Sequence, residues 1–582
     1  MTATLRTSGA GRSGSVLTVA RTPVSTHTTA PLMTTQPGGP KGNAMDVLSA
    51  VNLRRTPQSE QADPRQVVNN AGGYTFTLDD EARLRRFLIL GTDGPTYYTS
   101  AADLTRDNAA VVLRMAAEQP KRLVDVVVEI SAAGRAPRQN PALFSLAAAA
   151  GVADAEGRAY ALAKLADVAR TGTHLFLFAR YVEQFRGWGR QLRRAIGDWY
   201  QTKDVDRVAY QAVKYRQREG WSHRDLLRLA HPVTSDMARA GLYDWIAGRA
   251  GHDLPAIVSG YLAAQDATTA AEWVRIIRDT PGISWEMLPD AALTERTVWD
   301  ALLDAGLPQT ALMRQLPRLT RLGVARDRRD LIATQLTDRD RIRKARVHPI
   351  NVLVAQRTYA SGRSARGDGI WTPVPQITDA LDAAFYASFG NVEPAGKRTL
   401  IALDVSGSMT SPISNMPLSA REASAAMAMV TMATEPDVDV VGFTGGGFYY
   451  GYQRRVSASP AEVISTLNIS PRQRLDDVIR AVSGLPFGGT DCALPMLWAQ
   501  EQGRSYDTFI IFTDNETWQG EVHAHQALKR YREHAGIPAK LIVSGMTSTG
   551  FSIADPSNPG MLDVVGFDSA APTLIADFSR GW

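Results

Sequence analysis

Cysteine is nearly absent from this chain, which has Cys492 alone among its 582 residues. Internal disulfide bonds and zinc sites built on several cysteine ligands are therefore excluded, and the composition suits a reducing compartment. Long hydrophobic runs are missing too, since no stretch of about 18 apolar residues could span a bilayer. We therefore expect a cytoplasmic protein with no membrane partner.

Catalytic motifs are equally scarce. The sequence has no Gly-x-Ser-x-Gly nucleophile elbow and no His-Glu-x-x-His zinc helix, and its 9 histidines form no such pattern. Residues 390–397 imitate a phosphate loop, but one residue too many separates its two glycines. We therefore expect no enzymatic activity.

Acidic side chains are missing from residues 1–45, which carry Arg and Lys and are rich in Ser, Thr, Gly and Pro. Such a segment cannot bury enough apolar surface to fold alone, so residues 1–60 are predicted to be a disordered tail. It superficially resembles a transit peptide but has no convincing amphipathic helix. A flexible arm that makes weak contacts with phosphates is the alternative.

The rest of the chain divides into two patterns. Helix-length amphipathic segments with short breaks fill residues 61–390 and predict an all-α, HEAT-like array. Alternating strand and helix patterns fill residues 391–582 and predict a doubly wound α/β domain with a parallel sheet. The predicted strands cover residues 399–403, 438–443, 508–512, 540–543 and 562–567, and the predicted helices include residues 206–218, 222–230 and 461–467.

Three oxygen-rich segments lie at strand ends or loops of the α/β domain. An Asp-x-Ser-x-Ser motif follows the first strand, a Gly-Gly-Thr-Asp loop lies further on, and a Thr-Asp pair ends another strand. Open α/β sheets bind ligands at these strand ends, and Mg²⁺ prefers oxygen ligands. The alternative is that the serines cap a helix and the last aspartate lies in a turn. The predicted ligands of a divalent metal, most simply Mg²⁺, are Asp404, Ser406, Ser408, Thr490 and Asp514.

Basic charge is concentrated in the helical part. From Lys397 onward there are 14 basic and 19 acidic residues, whereas the preceding chain has 50 and 40. Residues 180–231 hold 12 Lys or Arg against 6 acidic residues, and residues 308–346 hold 11 against 4. Such clusters are typical of proteins that bind a phosphate backbone. In the second stretch Arg alternates with Asp, so a solvated helix face explains it equally well.

The first basic stretch has a more specific pattern. If residues 208–218 and 224–231 are helices, their basic side chains recur at spacings of three and four and share one face. That face is predicted to hold RNA phosphates. Trp199 and Tyr200 lie on apolar helix faces and are predicted to be core residues, so no base stacking is assigned to them.

Several short segments resemble one known family. Asn69-Asn70-Ala71-Gly72-Gly73, residues 214–223 and Phe512-Thr513-Asp514-Asn515-Glu516-Thr517 are similar to the TROVE module and the von Willebrand factor A domain of the Ro ribonucleoprotein autoantigen family. The resemblance runs from about Val68 to the C-terminus. It implies a metal-ion-dependent adhesion site on the five ligands named above. It also implies RNA contacts at Lys214, Arg218 and His231, with Arg216, Arg224 and Arg228 as neighbours.

The resemblance further implies a monomeric ring of HEAT-like helices that is clasped by the von Willebrand factor A domain. In this family the hole of the ring receives single-stranded 3′ ends of misfolded RNA, and a basic outer surface holds stem-loop Y RNAs. Bacterial members also work with polynucleotide phosphorylase, with Y RNA as the tether. We therefore expect an RNA-binding protein that acts in noncoding RNA quality control.

Two other functions stay open at this point. In the first, an acidic side chain of a partner protein completes the metal shell, which makes the chain a metal-dependent adhesion scaffold. In the second, the metal supports a phosphatase or nuclease. A site of hydroxyls and few carboxylates lacks the paired metals that phosphodiester hydrolysis usually needs, which disfavours the second function.

Overall fold

The structure is a computed structural model, and it describes residues 55–92, 99–364, 367–390, 392–413, 418–445, 449–450, 453–454, 459–485, 488–568 and 570–581. The predicted disorder of residues 1–54 lies outside this part of the chain. From residue 80 to residue 387 the described chain is almost entirely helical, and from residue 399 strands and helices alternate.

Short helices with brief connections form the first region, and each packs mainly on its neighbours along the chain. None of the described helices is long and apolar enough to cross a membrane. In chain order the helices are α1 Asp80–Leu90, α2 Ala101–Glu118, α3 Pro120–Ala133, α4 Asn140–Val152, α5 Ala155–Ala163, α6 Leu165–Val168, α7 Gly172–Val182, α8 Arg190–Gln201, α9 Val205–Lys214, α10 His223–Ala230, α11 Met237–Ala247, α12 Ala256–Asp266, α13 Ala270–Asp279, α14 Arg296–Asp304, α15 Gln309–Arg321, α16 Val324–Asp327, α17 Arg329–Thr337, α18 Arg339–Lys344, α19 Pro349–Ala360 and α20 Pro375–Ala387.

Helix α3 illustrates why these segments are helical. Pro120 begins it, where a missing N–H costs nothing, and Gly134 ends it in the left-handed conformation with φ 70°. Leu123, Val127 and Ile130 recur at spacings of four and three, and all three are fully buried. The apolar stripe therefore packs toward the core while the other side carries charge.

The last helices of the array return to the first. Nε2 of His348, just before α19, donates a 3.1 Å hydrogen bond to the carbonyl oxygen of Arg135, just after α3. The guanidinium of Arg135 pairs with the buried Asp568 at 3.1 Å. The rings of Phe385 and Phe567 stack with centroids 6.1 Å apart. The helical array is therefore closed, and the α/β domain lies across the closure.

A six-stranded sheet forms the core of the α/β domain, in the order β13-β11-β10-β5-β6-β9. All its strands run parallel except β9, which is antiparallel to β6. Strand β5 therefore has neighbours that come later in the chain on both sides, which makes the β5–β10 boundary the switch point of a doubly wound sheet. The strands of this sheet are β5 Thr399–Asp404, β6 Val438–Phe443, β9 Ile464–Thr466, β10 Thr508–Thr513, β11 Lys540–Gly545 and β13 Met561–Val565. Strands β7 Tyr449–Tyr450 and β8 Gln453–Arg454 form a separate hairpin. The helices of the domain are α21 Ala420–Thr434, α22 Pro460–Val463, α23 Leu475–Ser483, α24 Leu494–Glu501, α25 Ala524–Ala535 and α26 Ala571–Arg580.

The N-terminal segment also packs on this domain. Strands β1 (Gln66–Val68) and β2 (Tyr74–Thr77) form a hairpin, and β2 pairs with β12 (Phe551–Ser552). Gln58 is only 1% exposed, and its Nε2 donates to the carbonyl oxygen of Val522 at 2.9 Å. The predicted disordered tail is therefore wrong for residues 55–60, because buried hydrogen bonds to the α/β domain order them.

The predicted helix over residues 461–467 is also wrong. A single helical turn, α22, ends at Val463, and the chain then extends into β9. Ile464 pairs with Phe443 of β6, so the edge of the sheet provides backbone hydrogen bonds that outweigh the helical pattern. The five strands predicted from the sequence all form, with ends shifted by no more than two residues.

Acid should weaken the closure of the ring through His348. Burial lowers the pKa of His348 to about 4, against 6.5 in the unfolded chain. The unfolded chain therefore takes up the proton first, and the stability that neutral His348 contributes is full above pH 6.5 and is lost as the pH falls toward 4. His348→Asn keeps a helix-capping acceptor but cannot titrate in this range. Between pH 7.5 and pH 5 the unfolding free energy of the wild type should therefore fall by about 2 kcal/mol more than that of the variant.

Urea unfolding at the two pH values measures this difference. His252→Asn replaces an exposed histidine and serves as the control. Equal pH dependence in His348→Asn and the wild type would contradict the assignment.

Candidate functional site

The ends of β5 and β10 meet at the switch point of the sheet. Asp404 is the last residue of β5, and Asp514 directly follows β10. Oγ1 of Thr513 donates a 2.7 Å hydrogen bond to Oδ2 of Asp404, which joins the two strand ends. The N–H of Ser406 donates to the other oxygen, Oδ1, at 2.9 Å. Two of the predicted metal ligands are thus fixed by the sheet itself.

The serines do not cap a helix. Ser406 precedes a 3₁₀ turn, Gly407–Thr410, but its side chain makes no capping hydrogen bond. Its Oγ instead lies 3.0 Å from Oγ of Ser408. The guanidinium of Arg421 supports this loop from α21 by donating to the carbonyl oxygens of Val405 at 2.5 Å and Ser406 at 2.9 Å. The two hydroxyl groups therefore contact each other instead of capping the turn that follows Ser406.

Thr490 comes from a different loop. The N–H of Gly407 donates a 3.4 Å hydrogen bond to the carbonyl oxygen of Gly488, which ties this loop to the serine loop. Oγ1 of Thr490 is buried and has no hydrogen-bond partner among the described residues. An unsatisfied buried hydroxyl costs free energy, so its position favours a bound ligand.

Asp514 has one oxygen in a turn and one without a partner. Oδ1 accepts a 3.1 Å hydrogen bond from the N–H of Glu516, as the turn interpretation requires, whereas Oδ2 is buried and unpaired among the described residues. Burial raises the pKa of Asp514 to about 7, and the charge of Asp404 adds to this. Burial raises the pKa of Asp404 as well.

The structure thus brings all five predicted ligands together, and none is more than 2% exposed. We call them the oxygen cluster. Within the described residues, no group of three or more His, Cys, Asp or Glu could hold a metal. The oxygen cluster consists of two carboxylates and three hydroxyls. Buried carboxylates, hydroxyls and two unpaired oxygens fit a hard cation such as Mg²⁺, which would neutralise the carboxylates and satisfy both orphan atoms.

The predicted RNA-binding residues differ from one another in their exposure and in their contacts. Lys214 ends α9 with its side chain 11% exposed, and its Nζ lies 3.0 Å from the hydroxyl of Tyr210 and 3.7 Å from Glu286. Arg216 donates to the hydroxyl of Tyr261 at 2.6 Å. Both cations therefore contact groups of the protein, although Arg216 is exposed whereas Lys214 is half-buried.

The predicted helix over residues 206–218 ends early, at Lys214. Arg218 lies in a hairpin of β3 (Gln217–Arg218) and β4 (Trp221–Ser222). The turn residues Glu219 and Gly220 have φ of 56° and 81°, a left-handed pair that suits a tight hairpin and stops a helix. The prediction that Lys214 and Arg218 share a helical face is wrong, although Arg218 itself is exposed.

Helix α10 does present a basic side. Arg224 and Arg228 are both exposed at a spacing of four, and His231 caps the helix in the left-handed conformation and is exposed as well. Trp199 and Tyr200 are fully buried, which confirms them as core residues.

The basic side of α10 extends onto α8, which the sequence interpretation did not single out. A methyl group at Gly197 of α8 would lie 3.7 Å from Cβ of Pro232, so α8 lies directly against the end of α10. Exposed arginines line the same helix before that point. The excess of Lys and Arg in residues 180–231 was the feature of the sequence that could have identified these arginines. We define the arginine face as Arg190, Arg193, Arg194, Arg224 and Arg228.

Comparison with known proteins decides the family. Residues 67–250 and 262–358 match the TROVE domain, and residues 398–579 match the Ro60 vWA domain. The RNA-binding protein RO60 of Deinococcus radiodurans is 40% identical over 547 residues, which cover 92% of this chain and 99% of that protein. The chain belongs to the Ro60 family.

Two further Ro60 similarities agree. The RNA-binding protein RO60 of Caenorhabditis elegans is 36% identical over 612 residues, covering 91% of this chain and 92% of that protein. The crystal structure of the Deinococcus radiodurans RO (RSR) protein matches with a TM-score of 0.65 and 40% identity over 86% of this chain and all of that one. The predicted family and the predicted fold, a helical ring with a von Willebrand factor A domain, are confirmed.

Two more buried carboxylates lie beside the oxygen cluster of this Ro60-family chain, and the site prediction did not include them. Asp491 accepts from Nε2 of Gln58 at 2.6 Å, and Glu516 accepts from Nδ2 of Asn70 at 2.7 Å and the N–H of Ala71 at 3.0 Å. Burial raises the pKa of Asp491 to about 7 and that of Glu516 to about 8. No local pattern signals these contacts, since their partners are more than 400 residues away in the chain.

The substitution Thr490→Val should affect the binding of Mg²⁺ and the stability of the metal-free protein in opposite directions. In EDTA the variant should be at least as stable as the wild type, because it removes an unsatisfied buried hydroxyl. With Mg²⁺ it should bind the ion at least about tenfold more weakly, because a ligand is lost. Melting temperature measured against Mg²⁺ concentration reports both effects.

Thr431→Val is the matched control, since this buried threonine of α21 donates to the carbonyl oxygen of Met427 at 3.1 Å and lies outside the cluster. It should lower stability in EDTA and leave the Mg²⁺ response unchanged. If Thr490→Val keeps the full Mg²⁺ response, Thr490 is not a ligand.

Proposed function

We propose that this Ro60-family chain is an RNA-binding protein of a ribonucleoprotein. The arginine face carries the proposal, because its five guanidinium groups are exposed and make no ion pair with any described residue. Arginine binds phosphates through two parallel hydrogen bonds, which suits an RNA backbone. Two relatives, at 40% and 36% identity, are themselves RNA-binding proteins.

The proposal extends to the kind of RNA and its place in the cell. A Y-type small noncoding RNA would bind the basic outer surface, and single-stranded 3′ ends of misfolded RNA would enter the hole of the ring, in RNA quality control without catalysis. Closure of the helical array and membership of the Ro60 family support this extension. We place the protein in the cytoplasm as a monomer.

The oxygen cluster is proposed to hold Mg²⁺. There the ion would supply positive charge that ionises Asp404 and Asp514 and joins three loops of the von Willebrand factor A domain. Since that domain lies across the closure of the ring, the ion would stabilise the clasp rather than take part in chemistry on RNA.

Neutralising the arginine face should weaken RNA binding for every sequence. Arg224→Gln plus Arg228→Gln removes two phosphate contacts, so the slope of log affinity against log salt concentration should fall in magnitude by about 1 to 2. The measurement is filter binding or fluorescence anisotropy with a stem-loop RNA at several salt concentrations.

Arg472→Gln plus Arg504→Gln, two exposed arginines of the α/β domain, is the control and should keep the wild-type slope. RNA that co-purifies from cells should be enriched in one or two structured small RNAs with the wild type and the control only. An unchanged slope together with unchanged co-purifying RNA would refute the assignment.

Affinity capture with and without ribonuclease distinguishes RNA-tethered partners from direct ones. Polynucleotide phosphorylase is proposed to join through RNA, so ribonuclease should release it. The adhesion alternative predicts a protein that survives ribonuclease and is lost from Asp404→Ala, while RNA affinity stays intact. The unpaired Oδ2 of Asp514 is a donor that a cation could use, and the burial of the cluster favours an internal ion over one that a partner's carboxylate reaches.

A further inference from the structure

A cavity of about 570 Å³ opens where the first and last helices of the ring meet. The end of α3 at Ala132–Gly134 forms one wall, α18 and the residues after it form the second, and the end of α20 forms the third. We call it the seam pocket. Its volume is within the range of pockets that bind small molecules.

The lining of the seam pocket is strongly basic. It includes Arg339, Arg343 and Arg346 and contains no Asp or Glu. His348 also lines it, and burial keeps that ring neutral by lowering its pKa to about 4. A group of guanidiniums with no carboxylate in the same lining creates a positive potential that attracts anions.

A fourth guanidinium lies behind the pocket. Arg170 donates to the carbonyl oxygen of Ser131 at 3.0 Å and to its hydroxyl at 2.8 Å. Burial lowers the pKa of Arg170, and the charge of Arg346 lowers it further, so the two cations are close enough to repel. Folding has therefore brought basic residues from distant parts of the chain close together at the pocket.

Arg346 occupies a position that usually requires glycine. It follows α18 in the left-handed conformation, with φ 48°, while its N–H donates to the carbonyl oxygen of Arg343 at 3.1 Å. The conformation costs a side chain about 1 kcal/mol relative to glycine. It places Arg346 beside the end of α3, where a methyl group at Gly134 would lie 3.9 Å from its Cβ. Strained residues of this kind are common at binding sites.

We propose that the seam pocket binds a phosphate group, carried by a free nucleotide or by the end of an RNA strand. Arg343 of α18 and Arg346, just after that helix, would hold its oxygens while the ligand fills the space beside α3 and α20. Because the three walls come from both ends of the ring, a bound phosphate would join them. None of the lining residues belongs to the arginine face, so the proposal stands independently of RNA binding there.

Another explanation for the arginines is attraction to helix ends. Both α3 and α20 end at the pocket, and the carbonyl groups at a helix C-terminus carry partial negative charge. Arg343 is, however, 79% exposed and already pairs with Asp340 at 2.7 Å. The experiment therefore has to separate phosphate binding from a purely structural role.

Calorimetric titration of RNA-free protein with inorganic phosphate, AMP and a short single-stranded RNA with or without a 5′-phosphate tests the proposal. We expect saturable binding of at least one phosphate carrier, weakened at least about tenfold by Arg343→Gln plus Arg346→Gln. Binding of AMP in competition with inorganic phosphate would identify a nucleotide site. Binding of the 5′-phosphorylated RNA alone would identify an RNA end.

The matched control is Arg106→Gln plus Arg249→Gln, because these arginines are 74% and 73% exposed and each pairs with a nearby aspartate as Arg343 does. It should bind phosphate like the wild type.

If the double pocket variant does not fold, Arg343→Gln alone, a change at an exposed side chain, should still weaken binding about fivefold. No saturable binding by the wild type, or equal binding by the pocket variants, would mean that the arginines serve only the helix ends. Stem-loop RNA affinity in the same variants reports separately on the arginine face.

Discussion

A buried ion pair between Arg135 and Asp568 is the contact on which the closed ring depends. Asp568 is completely buried, and its Oδ1 also accepts a 2.8 Å hydrogen bond from the N–H of Ala570. The carbonyl oxygen of Arg135 accepts in turn from His348. One short cluster thus links the start of the helical array, its end and the α/β domain. Breaking one side of such a pair leaves a buried charge and costs about 3 to 5 kcal/mol, so loss of either residue would weaken the contacts of all three parts at once.

The same domain depends on the N-terminal segment for its buried acids. Without Gln58 and Asn70, the carboxylates of Asp491 and Glu516 would be buried with fewer donors next to an already acidic cluster. Gly73 shows how close the two parts lie, since a methyl group there would come within 1.9 Å of the carbonyl oxygen of Thr517. The loops of the oxygen cluster are therefore held in place partly by residues that precede the ring.

Local rules explain what the sequence predicted correctly. Each predicted ligand lies at the carboxyl end of a strand or in a loop beside it, so the pattern of apolar strand and oxygen-rich loop was enough to bring Asp404 and Asp514 to the same edge of the sheet; that they hold a metal stays a prediction. Lys214 could not be placed in the same way, because Glu286, which draws its side chain inward, is 72 residues further along the chain. The early end of α9 depends on Glu219 adopting positive φ, which glutamate rarely does.

Charge that has no partner, rather than charge counted along the sequence, distinguishes the two basic stretches. In residues 308–346 several arginines are used within the protein: Arg328 pairs with Asp300 at 3.5 Å, and Arg341 donates to the carbonyl oxygen of Leu307 at 2.5 Å. These arginines are therefore used in contacts within the protein, and Arg343 at the seam pocket is exposed and paired with Asp340. On α8 and α10 no described acid pairs with the arginine face, so its whole charge is available to an external phosphate. In residues 180–231 the cations outside the arginine face do have acidic partners, as the Lys214–Glu286 pair shows, so the usable charge of that stretch is concentrated on the arginine face.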